Sequence, residues 1–112
     1  MAVDFRFVKP FTAELDDAPI NFLKPGENVV IPASDQRIRV FKLFLTVSGP
    51  CNLTFQDTGG RALTGPMAFA ANGGIALDLD AEPWFVTKAG SGFAINSDSN
   101  VQVSGTVYYQ GV

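Results

Sequence analysis

Residues 37–47 read RIRVFKLFLTV, the longest run of alternating side chains in the chain. Ile38 and Val40 share one face, against Arg37, Arg39 and Phe41 on the other. Further along, Phe41, Leu43, Leu45 and Val47 form the apolar set, with Lys42 and Thr46 opposite. Period two marks a strand with one covered face, because successive side chains point to opposite sides of the pleat. The apolar phase flips near residues 40–41. That flip predicts a bulge, or a strand passing from one sheet to another. A strand covered on both sides in its middle is the third reading the pattern allows.

The same alternation extends outward in both directions. Upstream, VVI (29–31) follows PGEN (25–28) and is closed by Pro32, which predicts a short strand. TAELDDAPINFL (12–23) is the nearest approach to a helix, but Pro19 interrupts it, so a turn or a single helical turn is expected there. At the start, Val3, Phe5 and Phe7 alternate with Asp4 and Arg6 and predict a half-buried first strand ending at Pro10. Downstream, SGP (48–50) makes a turn, and Cys51, Leu53 and Phe55 then face inward. DTGGRALTGP (57–66) reads as a loop, followed by a short strand with Met67 and Phe69.

NGG (72–74) then predicts a hairpin into Ile75, Leu77 and Leu79, with Asp78 and Asp80 on the other face. WFV (84–86) follows Pro83, KAGSG (88–92) turns into Phe93 and Ile95, and NSDSN (96–100) turns again. The last strand places Val101, Val103, Val107 and Tyr109 on one face, with Gly105 between. About eight short strands with turn signals roughly every ten residues predict an all-β, single-domain antiparallel β-sandwich, jelly-roll-like, or a small barrel. Residues 1–26 are the least regular part and read as an extended N-terminal arm.

Composition narrows the function. The 112 residues suit one domain with its own core: 46% are hydrophobic, ten are Phe, and 17% are charged. A charge content this low leaves less polar surface than usual and favours an apolar contact surface for partners. The net charge is −3, and the deficit falls after residue 50, where five acidic residues face two basic ones. Without a basic cluster, nucleic acid is not an expected partner. Cys51 stands alone, so no intrachain disulfide is possible. No apolar run has the roughly 18 residues of a membrane span, and the N-terminus is no signal peptide. The chain therefore reads as a soluble protein made and folded in a reducing cytoplasm, with no membrane partner.

Catalytic machinery is scarce. The chain has no His, which removes Cys–His and Ser–His–Asp arrangements and the ordinary zinc site. GSG (90–92) lacks both the following Gly spacing and the helix of a phosphate-binding loop. Asp78 and Asp80 stand roughly 6–7 Å apart on one strand face, but a carboxylate pair on a solvated face has no reason to shift its pKa. Asn96, Asp98 and Asn100 alternate like the first part of a calcium loop, without its Gly and distal Glu. Turns favour the same residues for conformational reasons. Neither an enzyme nor a cofactor is expected.

The remaining candidates are contact residues. Trp84–Phe85 can close the core, anchor an interface or form a sugar platform. Arg37, Arg39 and Lys42 form a modest basic stripe that, in an assembly, can meet the acidic second half of a neighbour. Asn52-Leu53-Thr54 matches a glycosylation sequon but reads as alternating strand residues, and Cys51 reads as a small buried side chain.

FLTVSG (44–49), NLTFQD (52–57), ALTGPMAFAANGGIALDLDAEPWF (62–85) and AGSGFAINSDSNVQVSGTVYYQ (89–110) together resemble a group of small proteins of tailed bacteriophages and prophages. The resemblance covers roughly residues 38–110. In size and β-rich character such proteins are similar to head decoration (cement) proteins. These sit outside the capsid where major capsid subunits meet and stiffen the shell. The resemblance implies a homo-oligomeric structural protein of the virion whose partner is the major capsid protein. Its expected interface residues are Phe5, Phe7, Phe11, Arg37, Arg39, Trp84 and Phe85, with MAVDFRFVKPF suited to strand addition to a partner. A tail or fibre module that recognises a host-surface glycan or protein through Trp84 and the loops at 57–66 and 88–100 is the alternative.

Overall fold

The structure, a computed structural model, describes residues 15–78 and 82–112. Among these residues the regular elements are nine strands and no helix. They are β1 (Asp16–Phe22), β2 (Gly26–Ile31), β3 (Ile38–Val47), β4 (Cys51–Asp57), β5 (Met67–Phe69), β6 (Gly74–Asp78), β7 (Phe85–Val86), β8 (Phe93–Ser97) and β9 (Val103–Gly111). They form two antiparallel sheets, β1-β9-β3-β6, with β7 also on β3, and β2-β8-β4-β5. The all-β sandwich expected from the alternation is the observed architecture.

The pairings are nested: β1 with β9, β2 with β8, β3 with β6 and β7, β4 with β5. A chain paired in this way is one long antiparallel ribbon folded over on itself, which is the jelly-roll order. The fold puts the two halves of the sequence side by side everywhere. Most connections then have to cross from one sheet to the other.

β3 resolves the phase flip. Its register against β9 shifts between Val40 and Lys42, so Phe41 is the extra residue of a bulge. Val40 and Phe41 are both fully buried, and the alternation resumes at Leu43, Leu45 and Val47 on the inner face. Between the sheets Val40, Leu43, Leu45 and Val47 meet Ile20, Ile31, Leu53, Phe55, Phe93, Ile95, Val103 and Val107, all almost fully buried. Each such side chain contributes about 1.5–3 kcal/mol by leaving water. Phe55 packs edge-on against Phe85 at 5.4 Å and against Phe93 at 5.7 Å, tying β7 to the opposite sheet.

Two expectations are corrected. Residues 16–22 form β1, where a turn or a single helical turn was expected across 12–23. Pro19 does not break the strand because, among the described residues, β1 pairs on one side only, and an edge strand tolerates a residue that cannot donate. Part of the expected arm at 1–26 therefore belongs to the sandwich. Residues 1–14, with the expected first strand and Phe5, Phe7 and Phe11, lie outside the described residues.

The second correction concerns the expected NGG hairpin. β5 pairs with β4 in one sheet and β6 with β3 in the other. The turn itself is present: Gly73 N donates to Ala70 O at 2.9 Å, and Asn72 has φ of 62°. Only the third residue of this turn has positive φ, as in type II, not the type I′ turn that closes a two-residue hairpin. Asn72 N donates to Val47 O and Val47 N donates to Gly73 O, so the turn caps the end of β3 while the chain changes sheets.

Candidate functional site

The only carboxylate among the fully buried side chains described is Asp57, the last residue of β4. Period two along β4 puts Cys51, Leu53, Phe55 and then Asp57 on the inner face, so the chain buries a charge at the end of the core. Asp57 Oδ1 accepts from Gly59 N and from Arg61 N, both at 3.0 Å. Oδ2 accepts from Arg61 Nε at 3.3 Å and from Lys88 N at 3.4 Å. The carboxylate shapes the 57–61 turn and joins it to the 88–92 loop. Thr58 Oγ1 accepts from Gly92 N at 2.9 Å and strengthens the same junction.

Burial pushes the Asp57 carboxyl up, but the hydrogen bonds from Arg61, Lys88 and Gly59 together outweigh it and hold it below its ordinary value. An ionised carboxylate with two donors on each oxygen has little left to offer a substrate proton or a metal ion. Asp57 is therefore structural. Thr87 plays a similar part: its Oγ1 accepts from Ile38 N at 3.0 Å and donates to Ser91 O at 2.9 Å. Among the described residues no buried side-chain N or O atom lacks a partner.

The loop expected at 57–66 gives no sign of a buried anchor, because Asp57 stands as its first residue. The signal was the inward phase of Cys51, Leu53 and Phe55, which, extended by two, lands on Asp57.

The other candidates separate. Asp78 is exposed and pairs with Lys42 at 3.6 Å; Asp80 lies outside the described residues. Asp98 turns to the neighbouring strand, accepting from Asn52 N at 2.8 Å, Asn52 Nδ2 at 2.7 Å and Ser99 Oγ at 2.8 Å. Those bonds hold its carboxyl below the ordinary value and take the Asn52 side chain as well. Among the described residues no three His, Cys, Asp or Glu side chains gather as metal ligands do. Cys51 is buried, and burial, with Asp98 nearby, pushes its thiol up, away from the reactive thiolate.

Trp84 and Phe85 part company. Phe85 lies opposite Val40 and packs into the core, whereas Trp84 is 43% exposed and is anchored through its backbone N–H to Val40 O at 2.7 Å. The basic stripe also divides. Lys42 is held toward Asp78, Arg39 stands opposite Val86 and Gln110, and Arg37 lines a different recess, with Arg61 and Lys88.

One feature that the sequence did not single out is the outer face of the β1-β9-β3-β6 sheet. Pro19, Thr106, Phe44 and Ala76 stand side by side across its four strands. One neighbouring row is Asn21, Ser104, Thr46 and Gly74, and the other is Asp17, Tyr108, Lys42 and Asp78. Phe44 is 48% exposed at the centre, beside an open depression of about 250 Å³ flanked by Ala76 and Tyr108. An apolar centre with a polar rim on a hydrogen-bonded, rigid sheet is how protein-binding surfaces are organised. Compared with known proteins, the chain matches no family model, and no curated protein matches it significantly.

Proposed function

We propose that this protein is a non-enzymatic structural protein of a tailed-phage virion, a head decoration (cement) protein that binds the outer surface of the capsid. The observation that carries the reading is the Phe44 face: a large side chain left half in water in the middle of a row that crosses four strands, with charge confined to one bordering row. Burying such a ring against a neighbour is favourable, and many copies on a regular shell multiply a weak contact. The sequence resemblance over residues 38–110 supplies the biological setting. The jelly-roll order is compatible with it but serves many functions and decides nothing alone.

The major capsid protein is the proposed partner, with the decoration protein homo-oligomeric on the particle and made in the host cytoplasm. MAVDFRFVKPF, which precedes the edge strand β1, supplies the proposed strand added to a neighbour. Deleting residues 1–10 then lowers capsid occupancy; unchanged occupancy removes the arm from the proposal.

The direct experiment adds the purified protein to expanded capsids of the phage that encodes it. Saturable binding at a fixed ratio, with greater heat resistance of the shells, is the expected result. A protein with no affinity for shells overturns the reading. The exposed indole of Trp84 favours a second reading, a tail or fibre module that binds a host-surface glycan or protein. In that case the protein binds whole cells, and Trp84→Ala abolishes the binding.

A further inference from the structure

Arg37, Arg61, Val86, Thr87 and Lys88 line an open recess of about 450 Å³ at the end of the sandwich, next to the buried Asp57. Arg61 and Lys88 are the only cationic side chains in residues 51–112, and the fold brings both to this recess. Arg37 joins them from the segment before β3. Gathering three cations of a chain with net charge −3 is unfavourable unless something negative lies among them. Asp57 is bonded to Arg61 and offsets one charge. Among the described residues neither Arg37 nor Lys88 makes an ion pair, which leaves the recess about two charges positive.

The Arg61 side chain is also held in place. Its Nε donates to Asp57 Oδ2, and its Nη2 donates to Val86 O at 3.1 Å. These bonds occupy two of the five N–H groups and fix the guanidinium plane, leaving the rest to donate outward. A guanidinium fixed in this way loses little entropy when it receives an oxyanion. The Lys88 backbone is fixed by the same carboxylate, while its ammonium remains unpaired.

We propose that this recess binds one compact oxyanion, a carboxylate or a phosphate, between Arg37, Arg61 and Lys88. A partner's acidic side chain and a free inorganic anion share that chemistry. The site is independent of the Phe44 face, so its failure leaves the shell-binding proposal intact. Because the cations are solvated, binding is weak, with Kd on the order of 1 mM, and it weakens as salt rises.

The test is a titration of the whole protein by two-dimensional amide and arginine Nε NMR with inorganic phosphate, with acetate, and with sodium chloride at matched ionic strength. Signals of Arg61 Nε and of the Lys88 amide are expected to move and saturate with phosphate, acetate or both, but not with chloride. Saturation with phosphate alone identifies a free dianion as the ligand class; saturation with both identifies the carboxylate class as well. The double variant Arg37→Gln, Lys88→Gln leaves the Asp57 bonds in place and is expected to raise Kd at least tenfold with no loss of folded signals. Shifts that stay linear in every salt, or saturate unchanged in the double variant, overturn the proposal.

Discussion

At Asp57 four N–H groups converge on one fully buried carboxylate, whereas at Phe44 a phenyl ring stands half exposed on an open sheet. The first region is closed on itself: each oxygen takes two donors, and the loops at 57–61 and 88–92 are tied together. The second region is backbone-rigid, with complete ladders to β9 and β6, yet its side chains end in solvent. The contrast shows where to look for function here. The most chemically distinctive residue is architectural, and the plain aromatic, half exposed, is the one the proposed function assigns to a partner.

Breaking the closed region has the largest expected effect. Asp57→Ala leaves the Gly59, Arg61 and Lys88 N–H groups without their acceptor and destabilises the protein by about 4 kcal/mol, read by urea denaturation. An effect below about 1 kcal/mol contradicts the role assigned to Asp57. Gly105→Ala comes next. Gly105 lies opposite Leu45, and a Cβ there would sit 1.9 Å from Phe44 O, so β9 and β3 must separate. A loss of about 2–3 kcal/mol is expected in the same assay.

Acid sharpens the comparison further. The folded-state pKa of Asp57 lies below its ordinary value of 3.8, so its stabilisation is fully present above that value. It is lost as pH falls through the lower, folded value. Between pH 6 and pH 3 the wild type is expected to lose more stability than Asp57→Asn, in which this group no longer titrates. Equal losses contradict the assignment.

Much of this was legible in residue order. The flip at Val40 and Phe41 marked the irregularity in β3 but left a bulge, a change of sheet and a doubly covered strand open, and only the register against β9 identifies the bulge. The sandwich followed from repeated alternation. What failed depended on partners distant in sequence. Pro19 reads as a breaker unless its strand is known to lie at an edge. Asn72 announces a turn but cannot say whether the strands on either side of it pair with each other. The Phe44 face was invisible because Thr46, Thr106, Ala76 and Pro19 are ordinary residues until the register of four strands sets them around one ring.

Phe44→Ser carries the smallest expected change in stability, within about 0.5 kcal/mol, because the ring already stands half in water. A change in binding by this variant therefore reports on the Phe44 face alone. Wild-type and Phe44→Ser proteins are compared by cosedimentation with expanded capsids of the encoding phage. Saturable binding by the wild type is expected, with at least a tenfold loss of affinity in the variant and its melting temperature unchanged. A variant that binds shells as well as the wild type contradicts the role proposed for the Phe44 face.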